Sequence, residues 1–207
     1  MIEHLSMSNG IRPRQYPVFK LLLLLLFAAA ANAAPLPGYN VDISATSVSG
    51  ISSGGYMALQ FSTAHSDIVS GVGVIAGGPY RCAAEGVNAA LGACMQGQPD
   101  PLQAIAETET AAANGSIAHP SNLSRQRVWL FSGYNDGVVR QSVMNSLYDS
   151  VTHFVPPSQV YYQNTLGAGH AMITQQYGAD CRLTDAPFLN DCDYDGAGLL
   201  LQHIYGK

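Results

Sequence analysis

The chain has 207 residues, which suits one domain, and 47% of them are hydrophobic while only 11% are charged. This composition, with 21 glycines, is typical of a compact globular protein and excludes a disordered one. The formal net charge is −5, and no Lys/Arg run follows the N-terminal segment, which argues against a nucleic-acid partner.

The first 33 residues have the pattern of a secretory signal peptide. Arg12, Arg14 and Lys20 precede an apolar run at 21–31, and Ala31-Asn32-Ala33 matches a cleavage site. The apolar run is too short for an ordinary membrane span, so we expect no stable membrane anchor. The protein is therefore expected to be secreted or periplasmic after cleavage near Ala33, with a buried or anchoring helix as the alternative.

Strand-like and helix-like segments alternate along residues 34–207, which we expect to form one catalytic domain. The predicted strands are 39–49, 68–76, 127–131 and 159–165, and the predicted helices are 55–65, 101–113, 138–154 and 195–205. Residues 68–76 are almost entirely apolar or glycine, as in a parallel strand buried on both faces. The alternation predicts an α/β fold with a mostly parallel sheet flanked by helices.

Four cysteines follow the signal segment, and export would allow them to form disulfides. Four cysteines can pair in three ways, and the simplest is the one with two local bonds, Cys82 with Cys94 and Cys181 with Cys192. No cysteine pair has the spacing of a redox or zinc motif, and no histidine lies beside them at ligand spacing. We therefore predict no metal.

A G-x-S-x-G motif lies between the first predicted strand and the first predicted helix. It reads Gly50-Ile51-Ser52-Ser53-Gly54. In this context the serine occupies a strained turn that exposes its hydroxyl above the end of a sheet. Ser52 is thus a candidate nucleophile, although an ordinary glycine-rich turn is the alternative.

A nucleophilic serine needs a base and an acid that orients the base. Asp136 follows the strand 127–131, and His170 follows the strand 159–165 in a loop with Gly167 and Gly169. Both lie where sites gather in parallel sheets, and the order Ser, Asp, His is that of α/β-hydrolases. The alternatives are a structural role for each, or other residues: His65, His119, His153, His203, Asp149, Asp180, Asp185 and Asp195.

Several segments together give the chain a family resemblance. They are 48–58, 76–83, 132–136, 167–170 and 192–206. On these segments the chain resembles poly(3-hydroxybutyrate) (PHB) depolymerases of the single-domain, circularly permuted α/β-hydrolase type. The resemblance implies that Ser52 attacks an ester carbonyl, that His170 is general base and then acid, and that Asp136 orients His170. It also implies the two local disulfides. The sequence itself indicates no organic cofactor.

The family continues beyond the point that matches Tyr205-Gly206 here. Its further part carries a strand that leads to a His-Gly-Cys segment, which supplies one oxyanion-hole amide, and this sequence contains no such segment. We therefore expect an incomplete sheet, because four strands are about half of the usual number, and a chain that lacks the C-terminal part of the catalytic domain. The amide of Ser53 is the expected oxyanion donor.

Three functions agree with these features. The first is a secreted serine esterase that hydrolyses PHB or related hydroxyalkanoate esters. The second is a carboxylesterase acting on small or plant-polymer esters, and the third is an inactive fragment or a polymer-binding protein without a complete oxyanion hole. Candidate substrate-binding side chains are Tyr56, Tyr80 and Tyr134, with Tyr177 as a further candidate, and an ordinary core or surface tyrosine is the alternative for each. The sequence predicts no particular oligomeric state.

Overall fold

The structure is a computed structural model, and it describes residues 37–206. The predicted signal peptide lies outside the described residues. Residues 37–41 carry no helix or strand, and a compact unit begins at Asp42. Within residues 37–206 no helix has both the length and the apolar character needed to cross a membrane.

The core of the fold is a four-stranded parallel sheet. Its strands are β1 (Thr46–Ile51), β2 (Val69–Ile75), β3 (Arg127–Phe131) and β4 (Val160–Gln163), and they lie side by side in that order. Helices follow the strands in sequence and cover the sheet. The predicted α/β class with a mostly parallel sheet is confirmed.

Strand β1 begins later than the predicted strand 39–49. Residues Ile43–Ala45 form a 3-10 turn, and the side chains of Tyr39, Val41 and Ile43 are exposed. Among the described residues β1 pairs only with β2, so its other edge has no strand beside it. This open edge agrees with the expected incomplete sheet.

Six α-helices occur in the described part of the chain. They are α1 (Ser53–Ala64), α2 (Val87–Leu91), α3 (Ala93–Gln96), α4 (Pro101–Ala113), α5 (Gln141–Phe154) and α6 (Gly196–Tyr205). Helix α4 coincides with its prediction because Asp100 caps it and Pro101 suits its first position. The two short helices α2 and α3, inside the first cysteine loop, were not predicted.

The two faces of the sheet carry different helices. On one face Val72 and Val74 of β2 pack in a cluster with residues of α1 and α5. On the other face α6 lies close to the sheet because β2 presents Gly71 and Gly73 there. A Cβ at Gly71 would come within 2.4 Å of Ile204, so only glycine lets α6 approach this closely.

A second, three-stranded sheet follows β4. It consists of β5 (Met172–Thr174), β6 (Ala179–Asp180) and β7 (Leu189–Asp191), with β7 in the middle. The Cys181–Cys192 disulfide lies in this region, and Cys82–Cys94 closes the first cysteine loop. This sheet was not predicted, because its strands are only two or three residues long and show no alternation.

Candidate active site

Ser52 lies in a strained turn between β1 and α1. Its φ is 56° and its ψ is −126°, a backbone conformation that non-glycine residues rarely adopt. The Ser52 amide donates a 2.9 Å hydrogen bond to the carbonyl oxygen of Ile75, which fixes the turn to the end of β2. Strained backbone of this kind persists only where the surrounding structure holds it in place, and it is common at functional sites.

The turn depends on two glycines, one of them outside the motif. A Cβ at Gly50 would come within 2.3 Å of the Gly54 backbone, and a Cβ at Gly55 within 2.9 Å of the Ile75 carbonyl oxygen. The motif residue Gly54, in contrast, has open space around the position of a Cβ. Gly50 and Gly55 therefore allow the close approach of strand and helix, and Gly54 does not.

The carboxyl ends of the four strands lie level with one another. Ile51 pairs with Ile75, Ile75 with Phe131, and Phe131 with Gln163, so the loops after all four strands start at the same height. Ser52, Asp136 and His170 all lie in these loops or turns. The structure thus places the three candidate residues at one edge of the sheet, as predicted.

Asp136 is a buried carboxylate with three hydrogen bonds. Its Oδ1 accepts from the amides of Val138 and Val139 at 2.8 and 2.9 Å. Its Oδ2 lies 2.8 Å from Nδ1 of His170. The two amides hold the carboxylate in one orientation and direct Oδ2 at the imidazole.

His170 is positioned by the second cysteine loop. The amide of Gly169 donates to the Cys181 carbonyl oxygen at 2.9 Å, and the amide of His170 donates to Oγ1 of Thr184 at 2.8 Å. The buried Asn190 side chain ties the same loop together by donating to the carbonyl oxygens of Cys181 and Leu183. These supports for His170 carry no recognisable motif, and sequence reasoning missed them.

The loops that carry Asp136 and His170 are also joined directly. The amide of Tyr134 donates to the Leu166 carbonyl oxygen at 3.0 Å, and the side chain of Asn135 donates to the Gly167 carbonyl oxygen at 2.8 Å. The acid and the base are therefore held by one network of hydrogen bonds.

The hydroxyl of Ser52 makes no hydrogen bond to any described residue, including His170. Hydrogen bonds between catalytic groups are often long or misaligned without substrate and tighten only in the complex. The structure thus brings Asp136 and His170 into contact and leaves the third residue, Ser52, at the same sheet edge without a direct bond.

The other histidines lie in different surroundings. His65 directly follows α1, His203 contacts the carbonyl oxygen of Gln159, and His119 contacts Ser121. His153 lies 3.9 Å from an exposed glutamate, Glu109. None of these contacts a buried carboxylate, so His170 is the best placed base among the described residues.

The alternative acids also have other partners or surroundings. Asp195 caps α6 by accepting from the Gly198 amide, and Asp180 pairs with Arg182 at the surface. Hydrogen bonds from the backbone amide and the side chain of Arg182 lower the pKa of Asp180. Asp149 and Asp185 are exposed.

A cavity of about 490 Å³ opens beside Ser52. Its lining is mostly apolar: Ser52, Ser53, Tyr56, Met57, Gln60, Arg81, Cys82, Ala83, Ala84, Ala90, Cys94, Met95 and Val139. Small and flexible side chains from the first cysteine loop form much of the wall, and the sequence analysis did not single them out. Helix α2 contributes Ala90 to the wall, and Val87 and Leu91 of the same helix are exposed.

The candidate substrate-binding tyrosines lie in three different places. Tyr56 lines the Ser52 cavity, and its hydroxyl donates to the Cys94 carbonyl oxygen. Burial, and secondarily the negative charge of Asp136, raises the pKa of Tyr56. Tyr80 packs against the core and does not line this cavity. Tyr134 is 61% exposed beside Gly167, and Tyr177 is also exposed.

Within residues 37–206 no three His, Cys, Asp or Glu side chains group closely enough to hold a metal ion. The arrangement that is present, a hydroxyl on a strained turn and a buried Asp–His pair at one sheet edge, suits acyl transfer through a serine. The fold and this site define an α/β-hydrolase-like protein.

Comparison with known proteins identifies its relatives. The chain is 42% identical over 182 residues to a poly(3-hydroxybutyrate) depolymerase of Delftia acidovorans, an alignment with 86% of this chain and 36% of the relative. It is 40% identical to a polyhydroxybutyrate depolymerase of Talaromyces funiculosus, over 89% of this chain and 55% of the relative. No family model matches the chain.

Solved structures give the same relationship. The crystal structure of a PHB depolymerase from Penicillium funiculosum superposes with a TM-score of 0.76 at 38% identity, covering 83% of this chain and 54% of that one. A serine-to-alanine variant of a PHB depolymerase, complexed with an R3HB trimer, superposes equally well. The chain is thus a relative of PHB depolymerases, as the sequence resemblance predicted, and it spans about half the length of these proteins or less.

Proposed function

We propose that the chain belongs to a secreted serine esterase that hydrolyses PHB or related hydroxyalkanoate esters. The chain is either that esterase or the larger part of its catalytic domain. One observation carries the proposal: a buried Asp136–His170 pair lies at the same sheet edge as a serine on a strained strand-to-helix turn. The relationship to PHB depolymerases supports the substrate class, because one such relative is known with an R3HB trimer bound.

In the proposed reaction the Ser52 hydroxyl oxygen attacks the ester carbonyl carbon. Nε2 of His170 takes the hydroxyl proton and then returns it to the alcohol that leaves, which forms an acyl-enzyme on Ser52. A water, deprotonated by the same imidazole, then releases the hydroxyacid product and regenerates Ser52. Asp136 keeps the Nδ1 proton of His170 in place and stabilises the imidazolium that forms in each step.

The tetrahedral intermediates carry a negative oxygen that needs hydrogen-bond donors. Ser53 is the first residue of α1, where backbone amides have no acceptor within the helix. Its N–H, next to the nucleophile, is the donor that we assign to the oxyanion. Removing one such donor from an acyl-transfer site typically costs about 10²–10³ in rate, so a second donor is needed for full activity.

Exposed apolar side chains on the helices that line the cavity support a polymeric substrate. Met57 is 65% exposed, and Val87 and Leu91, one turn apart on α2, are 68% and 61% exposed. Apolar side chains grouped beside a cavity often mark a binding surface. Adsorption to a solid polyester would bury these side chains and bring the cavity to a chain of the polymer.

Two disulfides support the proposed export. The bonds Cys82–Cys94 and Cys181–Cys192 use all cysteines of the described residues, and such bonds persist in oxidising compartments. Together with the signal-peptide pattern of residues 1–33, they favour a secreted or periplasmic location.

A fluorophosphonate probe tests the nucleophile, since it labels serines activated by a neighbouring base. We expect labelling of the wild type and of Ser158→Ala, an exposed serine in a surface turn, and none of Ser52→Ala. Clearing of a PHB suspension and hydrolysis of p-nitrophenyl butyrate are then compared for the same proteins. Activity on the soluble ester alone would show that the protein is an esterase for small esters and not for PHB. A folded wild type that the probe does not label would refute the enzyme proposal.

A further inference from the structure

The short helix α3 contacts both α1, the helix that follows Ser52, and the loop of Asp136. Gln96, the last residue of α3, makes the contact with that loop. Its Nε2 donates to the Gly137 carbonyl oxygen at 2.9 Å and to the Val138 carbonyl oxygen at 2.7 Å. Both acceptors belong to the turn that begins at Asp136. No sequence motif points to Gln96, and it does not line the cavity beside Ser52.

The same turn is held from its inner side by Asp136 itself. Oδ1 of Asp136 accepts from the amides of Val138 and Val139, so the carboxylate closes the turn from within. Gln96, which lies outside the turn, donates hydrogen bonds to the carbonyl oxygens of Gly137 and Val138. The orientation of the carboxylate and the closure of the turn are therefore coupled, and Gln96 restrains both.

Helix α3 is well placed to act as a fixed support. Cys94 in this helix is 2% exposed and bonded to Cys82, and its carbonyl oxygen accepts from the hydroxyl of Tyr56 in α1. The Met95 carbonyl oxygen accepts from the Arg140 amide at 2.8 Å, just before α5. Helix α3, which carries Gln96, is thus hydrogen-bonded to α1 and to the residue before α5.

We propose that Gln96 is a positioning residue for Asp136, acting through the turn 136–138. This inference rests on the proposed esterase function, in which Asp136 orients His170. Without the Gln96 donors, water can bond the two carbonyl oxygens and the turn opens more often. Oδ2 of Asp136 then spends less time 2.8 Å from Nδ1 of His170.

The test replaces the donors and keeps the shape. Gln96→Met has a side chain of similar length and no N–H, and Gln96→Arg keeps N–H donors on a flexible stem. Gln159→Met is the matched control, since the Gln159 amide also donates to a carbonyl oxygen, that of Ser124, at 2.8 Å but away from the site. Each variant is measured on a soluble p-nitrophenyl ester and by hydrogen exchange of the folded protein.

For Gln96→Met we expect kcat to fall about five- to tenfold with KM unchanged, since small misplacements of catalytic groups cost up to about 10²-fold. The amides of Val138 and Val139 should exchange about tenfold faster or more, while those of β3 keep their rates. Gln96→Arg should recover most of kcat, and Gln159→Met should match the wild type in both measurements.

Unchanged exchange at Val138 and Val139 in Gln96→Met would overturn the inference, as would an unchanged kcat in an active enzyme. A fall in kcat that is equal in Gln96→Met and Gln96→Arg would also overturn it, because the donors would then not matter. A wild type with no esterase activity would refute the proposed function, and the exchange rates would still decide whether Gln96 holds the turn.

Discussion

Asp136 and His170 form the most deeply buried ionisable contact in the described part of the chain, with Oδ2 and Nδ1 2.8 Å apart. The Asp136 side chain is 1% exposed and that of His170 is 9% exposed. A buried charged group is costly unless it is paired and hydrogen-bonded, and Asp136 meets this condition with two amides and an imidazole.

Replacing Asp136 by Asn tests the role of the acid. The amide oxygen can still accept from Val138 and Val139, so the fold should persist. The amide nitrogen then faces Nδ1 and favours the wrong tautomer of His170, so we expect kcat on a soluble ester to fall by about 10⁴. Asp100→Asn is the control, because Asn caps a helix as well as Asp. Near-wild-type activity of Asp136→Asn would remove Asp136 from the proposed mechanism.

Two glycine substitutions test the turn around Ser52. In Gly50→Ala the new Cβ collides with the Gly54 backbone, so we expect a loss of about 3 kcal/mol or more in the free energy of unfolding, together with loss of activity. In Gly54→Ala the Cβ meets open space in a helix, so we expect a gain of up to about 1 kcal/mol. Urea denaturation measures both, and equal effects would contradict the described turn.

The apolar side chains of α2 should matter for polymer and not for soluble ester. We expect the double variant Val87→Ser, Leu91→Ser to clear a PHB suspension at least about fivefold more slowly, because adsorption loses apolar area. Its kcat/KM for p-nitrophenyl butyrate should stay within about twofold of the wild type, since neither residue lines the cavity.

Leu102→Ser, 70% exposed on α4, is the control for an exposed apolar side chain on a helix that contributes no residue to the cavity wall. Equal slowing by this variant would show that general surface hydrophobicity, and not α2, decides adsorption.

Stability in alkali should depend on Tyr56. Burial and the charge of Asp136 raise the pKa of Tyr56 in the folded protein above its ordinary value of 10.0. A raised pKa means that the folded protein favours the neutral phenol. The contribution of Tyr56 to the free energy of unfolding is therefore complete below pH 10 and is lost as the pH rises further. Above pH 10 we expect the free energy of unfolding to fall less steeply with pH in Tyr56→Phe than in the wild type. The difference in slope should correspond to about one proton released on unfolding per molecule.

Urea denaturation between pH 8 and pH 11.5 measures this slope. Tyr56→Phe also loses the hydrogen bond to the Cys94 carbonyl oxygen, which lowers stability at pH 8 by about 1 kcal/mol without changing the slope. Tyr177→Phe, at an exposed side chain, should retain the wild-type slope. Identical slopes for all three proteins would contradict the burial of the Tyr56 hydroxyl.

The sequence predicted the parts of the fold that have strong local patterns. The strand 127–131 and the helix 101–113 have the observed limits, because the strand is an apolar run and the helix has Asp100 and Pro101 at its start. Helix α5 was predicted from residue 138, yet it begins at Gln141. Arg140, with φ −63° and ψ 148°, has an extended backbone, so the helix starts only after it.

The candidate site was predictable only where chain order and strand ends carry information. Ser52, Asp136 and His170 follow β1, β3 and β4 in a recognisable order, and the structure places them at one edge of the sheet. The cavity wall of Ala83, Ala84 and Ala90 and the bonds of Thr184 to His170 arise from cysteine loops without periodicity. Such contacts depend on tertiary packing, and no local pattern announces them.

The bonds Tyr134–Leu166 and Asn135–Gly167 join the acid loop to the base loop, and they have a mechanical consequence. These bonds resist displacement of the Asp136 loop relative to the His170 loop, while Ser52 is anchored separately to the Ile75 carbonyl oxygen at the end of β2. In the proposed reaction, the distance between the Ser52 hydroxyl and the His170 imidazole therefore depends on how two separately anchored parts of the sheet edge are placed.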